Sequence, residues 1–120
     1  MENEKIEQIL AGITRQSANI QAAVLITRDG LPLVACLKDD VDPGTLGAVS
    51  ASLLSLAKRN LQDMKKGILQ QVIIQGSGGF ILLVGVGENA VLSISSELDS
   101  GLGILLREVR KAAEQISRLI

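Results

Sequence analysis

The segment Phe80–Val86 constrains the fold more than any other part of the chain, because it is apolar on both faces. A strand with one face in water alternates polar and apolar residues, whereas a strand that is apolar on both faces needs cover on each side. This segment therefore belongs inside a sheet that is packed between two other layers. Glycine-containing links at 76–78 and 87–89 flank it and are typical of hairpin turns.

The remaining periodicities predict the elements that surround this strand. Apolar residues at Ile6, Ile9, Leu10 and Ile13 have the spacing of one helix face. Asp29-Gly30 lies between two apolar runs and predicts a two-residue hairpin with both turn residues at positive φ. The predicted elements are a helix at 2–17, strands at 20–27 and 31–36, a long helix at 43–66, strands at 68–75, 79–86 and 90–95, and a last helix with apolar positions from Leu102 to Ile120.

Capping residues set the ends of the two later helices. Asp42 is suited to the N-cap of the long helix, with Pro43 at its first position. Lys65 and Lys66 followed by Gly67 predict its end, with Gly67 in the left-handed conformation. Asp99 or Ser100 is predicted to cap the last helix.

The order α-β-β-α-β-β-β-α predicts an α/β fold that forms a single domain over residues 1–120. A five-stranded antiparallel sheet is expected between the long helix on one face and the two terminal helices on the other. This arrangement leaves an edge strand without a partner on one side, and the segment 68–75 is the candidate for it. Its Val72 and Ile74 would be available for edge pairing with another chain.

Composition excludes several classes of protein. The chain of 120 residues has no histidine, one cysteine and a net charge of −1, which disfavours histidine catalysis, a cysteine-based zinc cluster and nucleic-acid binding. Cys36 cannot form an internal disulfide, so a cytoplasmic location is expected. The polar N-terminus predicts no signal peptide, and the apolar run 80–84 is too short to insert into a membrane.

Enzymatic motifs and metal sites are also missing. The glycines at 76–79 precede a strand and lack the phosphate-loop pattern, so a hairpin is favoured. Asp39, Asp40 and Asp42 lack the spacing of a calcium loop. Arg59 is the arginine best placed to reach into the active site of a partner protein, but nothing indicates that it is catalytic. The sequence therefore predicts no catalytic residue, no metal and no cofactor.

The long helix carries two different stripes. The first is predicted to face the sheet and consists of Leu46, Val49, Leu53, Leu56, Asn60 and Met64. The second consists of small residues at Gly44, Gly47, Ala48, Ala51, Ser52 and Ser55, extended by Lys58, Arg59 and Gln62. Small side chains allow close approach of another helix, so Gly44, Gly47, Ala48, Ala51 and Ser55 are predicted to meet a second copy. The alternative is that these residues pack under a loop of the same chain.

Mean hydropathy also points to an oligomer. Its value of +0.34 is high for a small domain, which exposes much of its surface. Such a chain is expected to bury part of that surface against a partner. Edge pairing through Val72 and Ile74, together with packing of the long helix, would join two copies across a twofold axis.

These motifs, in this order, resemble the Roadblock / dynein light chain family. The resemblance rests on the segment Val24–Val34 with its Asp-Gly-Leu-Pro turn, the small-residue middle helix, the Ile81–Val84 strand and the Gly101–Gly103 opening of the last helix. It implies profilin-like layering and a homodimer with one sheet running through both copies and two antiparallel middle helices side by side.

The resemblance also implies a function. It implies a non-enzymatic regulator or adaptor of a Ras-like small GTPase, which would dock on the paired middle helices. Residues expected at that contact are Ser52, Ser55, Lys58, Arg59 and Gln62; the alternative for them is a solvated helix surface. A structural adaptor subunit of the dynein light chain type, without GTPase contact, is the alternative function. A profilin- or longin-like module without a dimer is a further alternative.

Overall fold

The computed structural model describes residues 3–16, 19–38, 40–98 and 101–120. Within these residues the chain forms three helices and five strands in the predicted order. The elements are α1 (Asn3–Gln16), β1 (Ile20–Thr27), β2 (Pro32–Leu37), α2 (Pro43–Asp63), β3 (Gln71–Gly76), β4 (Gly79–Val86), β5 (Ala90–Glu97) and α3 (Leu102–Ser117).

The strands form one antiparallel sheet in the order β2-β1-β5-β4-β3. The prediction that β4 lies inside the sheet is confirmed, because it pairs with β3 and β5. The prediction that the strand after the long helix lies at an edge is also confirmed, since β3 pairs only with β4. Pairing of β1 with β5 joins the two hairpins.

Helices cover both faces of the sheet, as the apolar middle strand requires. α1 and α3 lie together on one face, where α1 packs on β1 and β2 and α3 packs on β4. The larger apolar core lies beneath them and includes Leu10, Leu25, Leu82, Leu92 and Ile116. α2 covers the other face over a smaller core made of Val24, Ile26, Leu54, Leu83 and Val91.

The first hairpin turn differs from the prediction. Gly30 has a φ of 97°, but Asp29 does not have a positive φ. The amide of Gly30 donates to the carbonyl of Thr27 at 3.0 Å, and the amide of Thr27 donates to the carbonyl of Leu31 at 2.9 Å. The link is therefore longer than two residues, and only its glycine needs the left-handed conformation.

α2 ends earlier than predicted. Lys65 leaves the helix in the left-handed conformation, with a φ of 56°. Gly67 has the predicted positive φ, at 90°, but it lies beyond the point where the helix has already ended. The amide of Lys66 donates to the carbonyl of Leu61 at 2.8 Å, and that of Lys65 donates to Gln62 at 3.2 Å, which is the bonding of a Schellman end. The strand that follows is correspondingly shorter, because Ile68 to Gln70 form a lead-in and not part of β3.

The cap predicted for the last helix is not the one in the structure. Gly101 occupies the N-cap position of α3 and provides no side-chain hydrogen bond. The predicted capping residues, Asp99 and Ser100, lie outside the described residues.

Candidate interaction surface on the second helix

Asp42 fixes the start of α2, as predicted. Its carboxylate accepts hydrogen bonds from the amides of Gly44 and Thr45, both at 3.3 Å, and from the Thr45 hydroxyl at 2.7 Å. The Thr45 hydroxyl bond and the two amide bonds hold the pKa of Asp42 below its usual 3.8. The ionised carboxylate therefore anchors the helix that carries the candidate surface.

This lowered pKa predicts a pH dependence of stability. Because the folded pKa lies below the unfolded one, the stabilisation by Asp42 is present above the unfolded value and is lost as pH falls through the folded one. Asp42→Asn keeps a capping oxygen but does not titrate. We expect the stability difference between the wild type and Asp42→Asn to be constant near neutral pH and to shrink below about pH 4. Urea unfolding of both proteins at a series of pH values tests this, and a difference that grows in acid would contradict it.

Gly47 brings α2 into backbone contact with the first hairpin turn. A Cβ at Gly47 would lie 2.1 Å from the carbonyl oxygen of Gly30, and one at Gly30 would lie 2.8 Å from the carbonyl oxygen of Gly47. Neither residue can carry a side chain without moving the other. Gly47 therefore packs under a loop of its own chain, and its prediction as a contact to a second copy is wrong.

This contact sets the rotation of α2 on the sheet. The residues of α2 that face the sheet and are buried are Gly47, Ser50 and Leu54. The predicted sheet-facing stripe is wrong, because Val49, Leu56 and Met64 in it are 53%, 66% and 65% exposed. With Gly47 against the turn, Leu54 faces the sheet, whereas Val49, Leu56 and Met64 point away from it.

The residues predicted to face the sheet form instead an apolar flank of α2, which is largely exposed. Its residues at 46, 49, 53, 56 and 60 recur at alternating intervals of three and four, which is the spacing of a helix-to-helix seam. Leu46 and Leu53 are half-buried and pack against the smaller core, as does Val72 of β3. The apolar flank and the α2-facing side of the edge strand therefore border the same core.

The other flank of α2 carries the small and polar residues. Successive residues turn by about 100° around a helix, which places this set on one side: Gly44, Ala48, Ala51, Ser52, Ser55, Lys58, Arg59 and Gln62. Arg59 lies 3.8 Å from Asp63 with both side chains exposed, a contact of little energetic value. Lys58 and Arg28 both line a hollow next to α2. The structure thus brings all five residues predicted to bind a GTPase onto one exposed flank.

Val72 and Ile74 lie where edge pairing requires. They pair with Leu83 and Ile81 of β4 and are half-buried on the α2 side of the sheet. Within the described ranges, no strand lies on the outer side of β3. Both residues are accessible to a second chain, and their role in a dimer remains a prediction.

The described part of the chain contains no group of histidine, cysteine or acidic residues that could hold a metal ion. Cys36 is half-buried, and its sulfur lies 3.3 Å from the hydroxyl of Thr14. No helix among the described residues is long and apolar enough to cross a membrane.

Sequence reasoning did not predict that the apolar flank is exposed. It assigned the correct residues to one stripe but directed them at the sheet. Their regular spacing of three and four was the available signal, because it is typical of a seam between helices.

The chain belongs to the Roadblock/LC7 domain family, whose model matches residues 6–96. A protein of Methanocaldococcus jannaschii is 26% identical over 95% of this chain and 98% of its own length. The structure of MglB from Myxococcus xanthus superposes with a TM-score of 0.90, at 15% identity over 99% of this chain and 97% of that one. The gliding protein MglB from Thermus thermophilus superposes with a TM-score of 0.87, at 20% identity over 97% and 88% of the two chains. These likenesses agree with the family and the fold derived from the residues.

Proposed function

We propose that this protein is a non-enzymatic, cytoplasmic, dimeric regulator or adaptor that binds a Ras-like small GTPase through its paired second helices. One observation carries the proposal: α2 has two unlike exposed flanks, an apolar one and a polar one. A helix that served only to cover its own sheet would expose polar residues on its outer side. Family membership supports the choice of partner, since the Roadblock family resemblance implies a small GTPase.

The apolar flank is the proposed contact to a second copy. Val49, Leu56 and Met64 would leave water on pairing, and burial of each such side chain is worth about 1.5–3 kcal/mol. A twofold axis through the middle of the flank would set Leu53 beside its own copy, with Val49 near Leu56 of the second chain. The edge strand β3, whose Val72 borders the same core, would pair with its copy and cover the open β3 edge of each chain.

This assignment moves the proposed dimer seam to the opposite flank from the one predicted by small side chains. Gly44, Ala48, Ala51 and Ser55 are then free for another partner, and large apolar residues take their place at the seam. Small residues allow close approach, but large apolar residues that are exposed in the single chain gain more from burial.

The polar flank is the proposed contact to the GTPase. Lys58 and Arg59 give it positive charge, while Ser52, Ser55 and Gln62 offer hydrogen-bonding groups. In a twofold dimer joined through the apolar flanks, these groups would lie on the outer sides of the helix pair. A partner carrying acidic residues would be attracted to them.

The charge reversal Lys58→Glu with Arg59→Glu tests the GTPase contact. We expect the double variant to lose nucleotide-dependent binding of a small GTPase, with affinity lowered about 100-fold or more, because like charges at an interface repel. The measurement is binding of a purified Ras-like GTPase from the same cell, loaded with GDP or with a GTP analogue.

Arg107→Glu with Lys111→Glu is the matched control, because it reverses two exposed charges on α3 at the other face of the sheet. Unchanged binding by the α2 variant would remove the polar flank as the docking site. A stable dimer that binds no GTPase in either nucleotide state would favour the structural adaptor instead.

A further inference from the structure

A hollow of about 160 Å³ lies beside α2, at the end of the sheet where β3 begins. β3 starts at Gln71, which pairs with Val84, so Gly85 and Val86 of β4 pair with β5 alone. Residues 68–70 form one wall of the space that β3 leaves open, and Leu54 and Lys58 of α2 form another. The apolar flank of α2 contributes no residue to this hollow.

Gly85 opens the hollow. It lies two residues after Leu83 in β4, so its side-chain position faces α2 as Leu83 does. A Cβ built at Gly85 would meet nothing within 4 Å, and its φ is not in the left-handed region. The backbone therefore does not require glycine here, and the missing side chain serves to leave space.

The floor of the hollow is apolar. Leu54, Leu83 and Val91 line it and are buried. An apolar cavity of about 150 Å³ is large enough to bind benzene, so this space can take a branched group of about four to six carbons.

Two positively charged side chains line this apolar space. Arg28 and Lys58 line the hollow, and no acidic residue lines it. The Nε of Arg28 donates to the backbone carbonyl of Glu88, and neither cation has a carboxylate partner within the part of the chain that the structure describes. A charge next to an apolar floor interacts more strongly with a ligand than one surrounded by water.

We infer that this hollow binds a carboxylate carried on a short apolar stem, with the stem on Leu54, Leu83 and Val91 and the carboxylate between Arg28 and Lys58. Cationic ligands are excluded by the two positive walls. An inorganic anion would leave the apolar floor unused, so it should bind more weakly than an acid with a fitting stem. The inference stands on the hollow itself and does not depend on the proposed GTPase contact.

Titration of the ¹⁵N-labelled wild-type protein with 4-methylpentanoate, followed by amide chemical shifts, tests the inference. Shifts should be largest at Gly85 and at residues 69–71. The neutral 4-methylpentanamide has the same stem and should bind about tenfold more weakly, because it lacks the charge that Arg28 and Lys58 bind. Inorganic phosphate should bind more weakly than the acid.

Substitutions at Lys58 and Gly85 test separately how the positive charge and the open space contribute to binding. Lys58→Gln should weaken binding of the acid about tenfold, whereas Lys66→Gln removes an equal charge outside the hollow and should leave binding unchanged. Gly85→Leu should abolish binding by filling the space, and its circular dichroism should match the wild type because a Cβ at this position meets nothing within 4 Å and the side chain enters the open hollow. If Gly85→Leu fails to fold, the Lys58→Gln and Lys66→Gln pair still decides the charge component.

A second ligand distinguishes two sources of the carboxylate, a protein C-terminus and a small metabolite. The peptide Gly-Gly-Leu presents the same branched stem and carboxylate as a chain terminus. Tighter binding of the peptide would identify the ligand as a protein C-terminus, and tighter binding of the free acid would identify a small metabolite. The inference is overturned if 4-methylpentanoate causes no shifts near Gly85, if phosphate binds as well, or if Lys66→Gln weakens binding as much as Lys58→Gln.

Discussion

Leu56→Glu should convert the proposed dimer into single chains without unfolding them. Leu56 is 66% exposed in the single chain, so glutamate at this position costs the monomer little. At the proposed seam, each dimer would bury two uncompensated carboxylates, each costing about 3 kcal/mol or more. The dissociation constant of the dimer should therefore rise about 1,000-fold or more.

Sedimentation velocity at micromolar concentration measures this change. The wild type should sediment at twice the chain mass of 12.7 kDa, and Leu56→Glu at the chain mass itself. Ala48→Glu is the matched control, because it places the same charge on the exposed opposite flank of the same helix. If Ala48→Glu dissociates the dimer and Leu56→Glu does not, the seam lies on the small-residue flank, as the sequence predicted. A wild type that is monomeric would eliminate both seams.

Gly47→Ala should lower the free energy of unfolding by about 3 kcal/mol or more, although alanine is the better helix former. The added Cβ would lie 2.1 Å from the carbonyl oxygen of Gly30, so the helix and the hairpin turn must separate. Such movement disturbs the packing of Leu54 on the smaller core, because α2 and the turn approach each other through their backbones at this point.

Urea unfolding at a fixed protein concentration measures the loss, since dimer stability depends on concentration. Gly44→Ala is the control in the same helix, because its Cβ would come no closer than 3.7 Å to the Asp42 carboxylate. Its free energy of unfolding should be unchanged or raised by up to about 1 kcal/mol. Equal effects of the two variants would show that the contact between Gly47 and Gly30 does not position α2.

Much of the fold could be predicted because local signals and the global arrangement agree. Phe80–Val86 required cover on both faces, and helices lie on both. Asp42 and Pro43 marked the start of α2, where short-range hydrogen bonds decide the outcome. These features depend on residues that are close in sequence.

Features that depend on distant residues were predicted less well. The end of α2 and the first hairpin turn differ from the predictions, because Lys65 takes a left-handed conformation ahead of Gly67 and Asp29 does not take one. The hollow beside Lys58 needed the relative positions of α2, β3 and β4. No local pattern in the sequence gives those positions.

The sequence by itself determined the order of the elements, the sheet covered on both faces and the two stripes of α2. Only the tertiary structure decided which stripe faces the sheet. Periodicity defines the angle between residues around a helix, but it does not say what lies opposite each face. That was set by the backbone contact between Gly47 and Gly30, two residues without side chains that are brought together by the fold, and it left Val49, Leu56 and Met64 of the apolar stripe exposed.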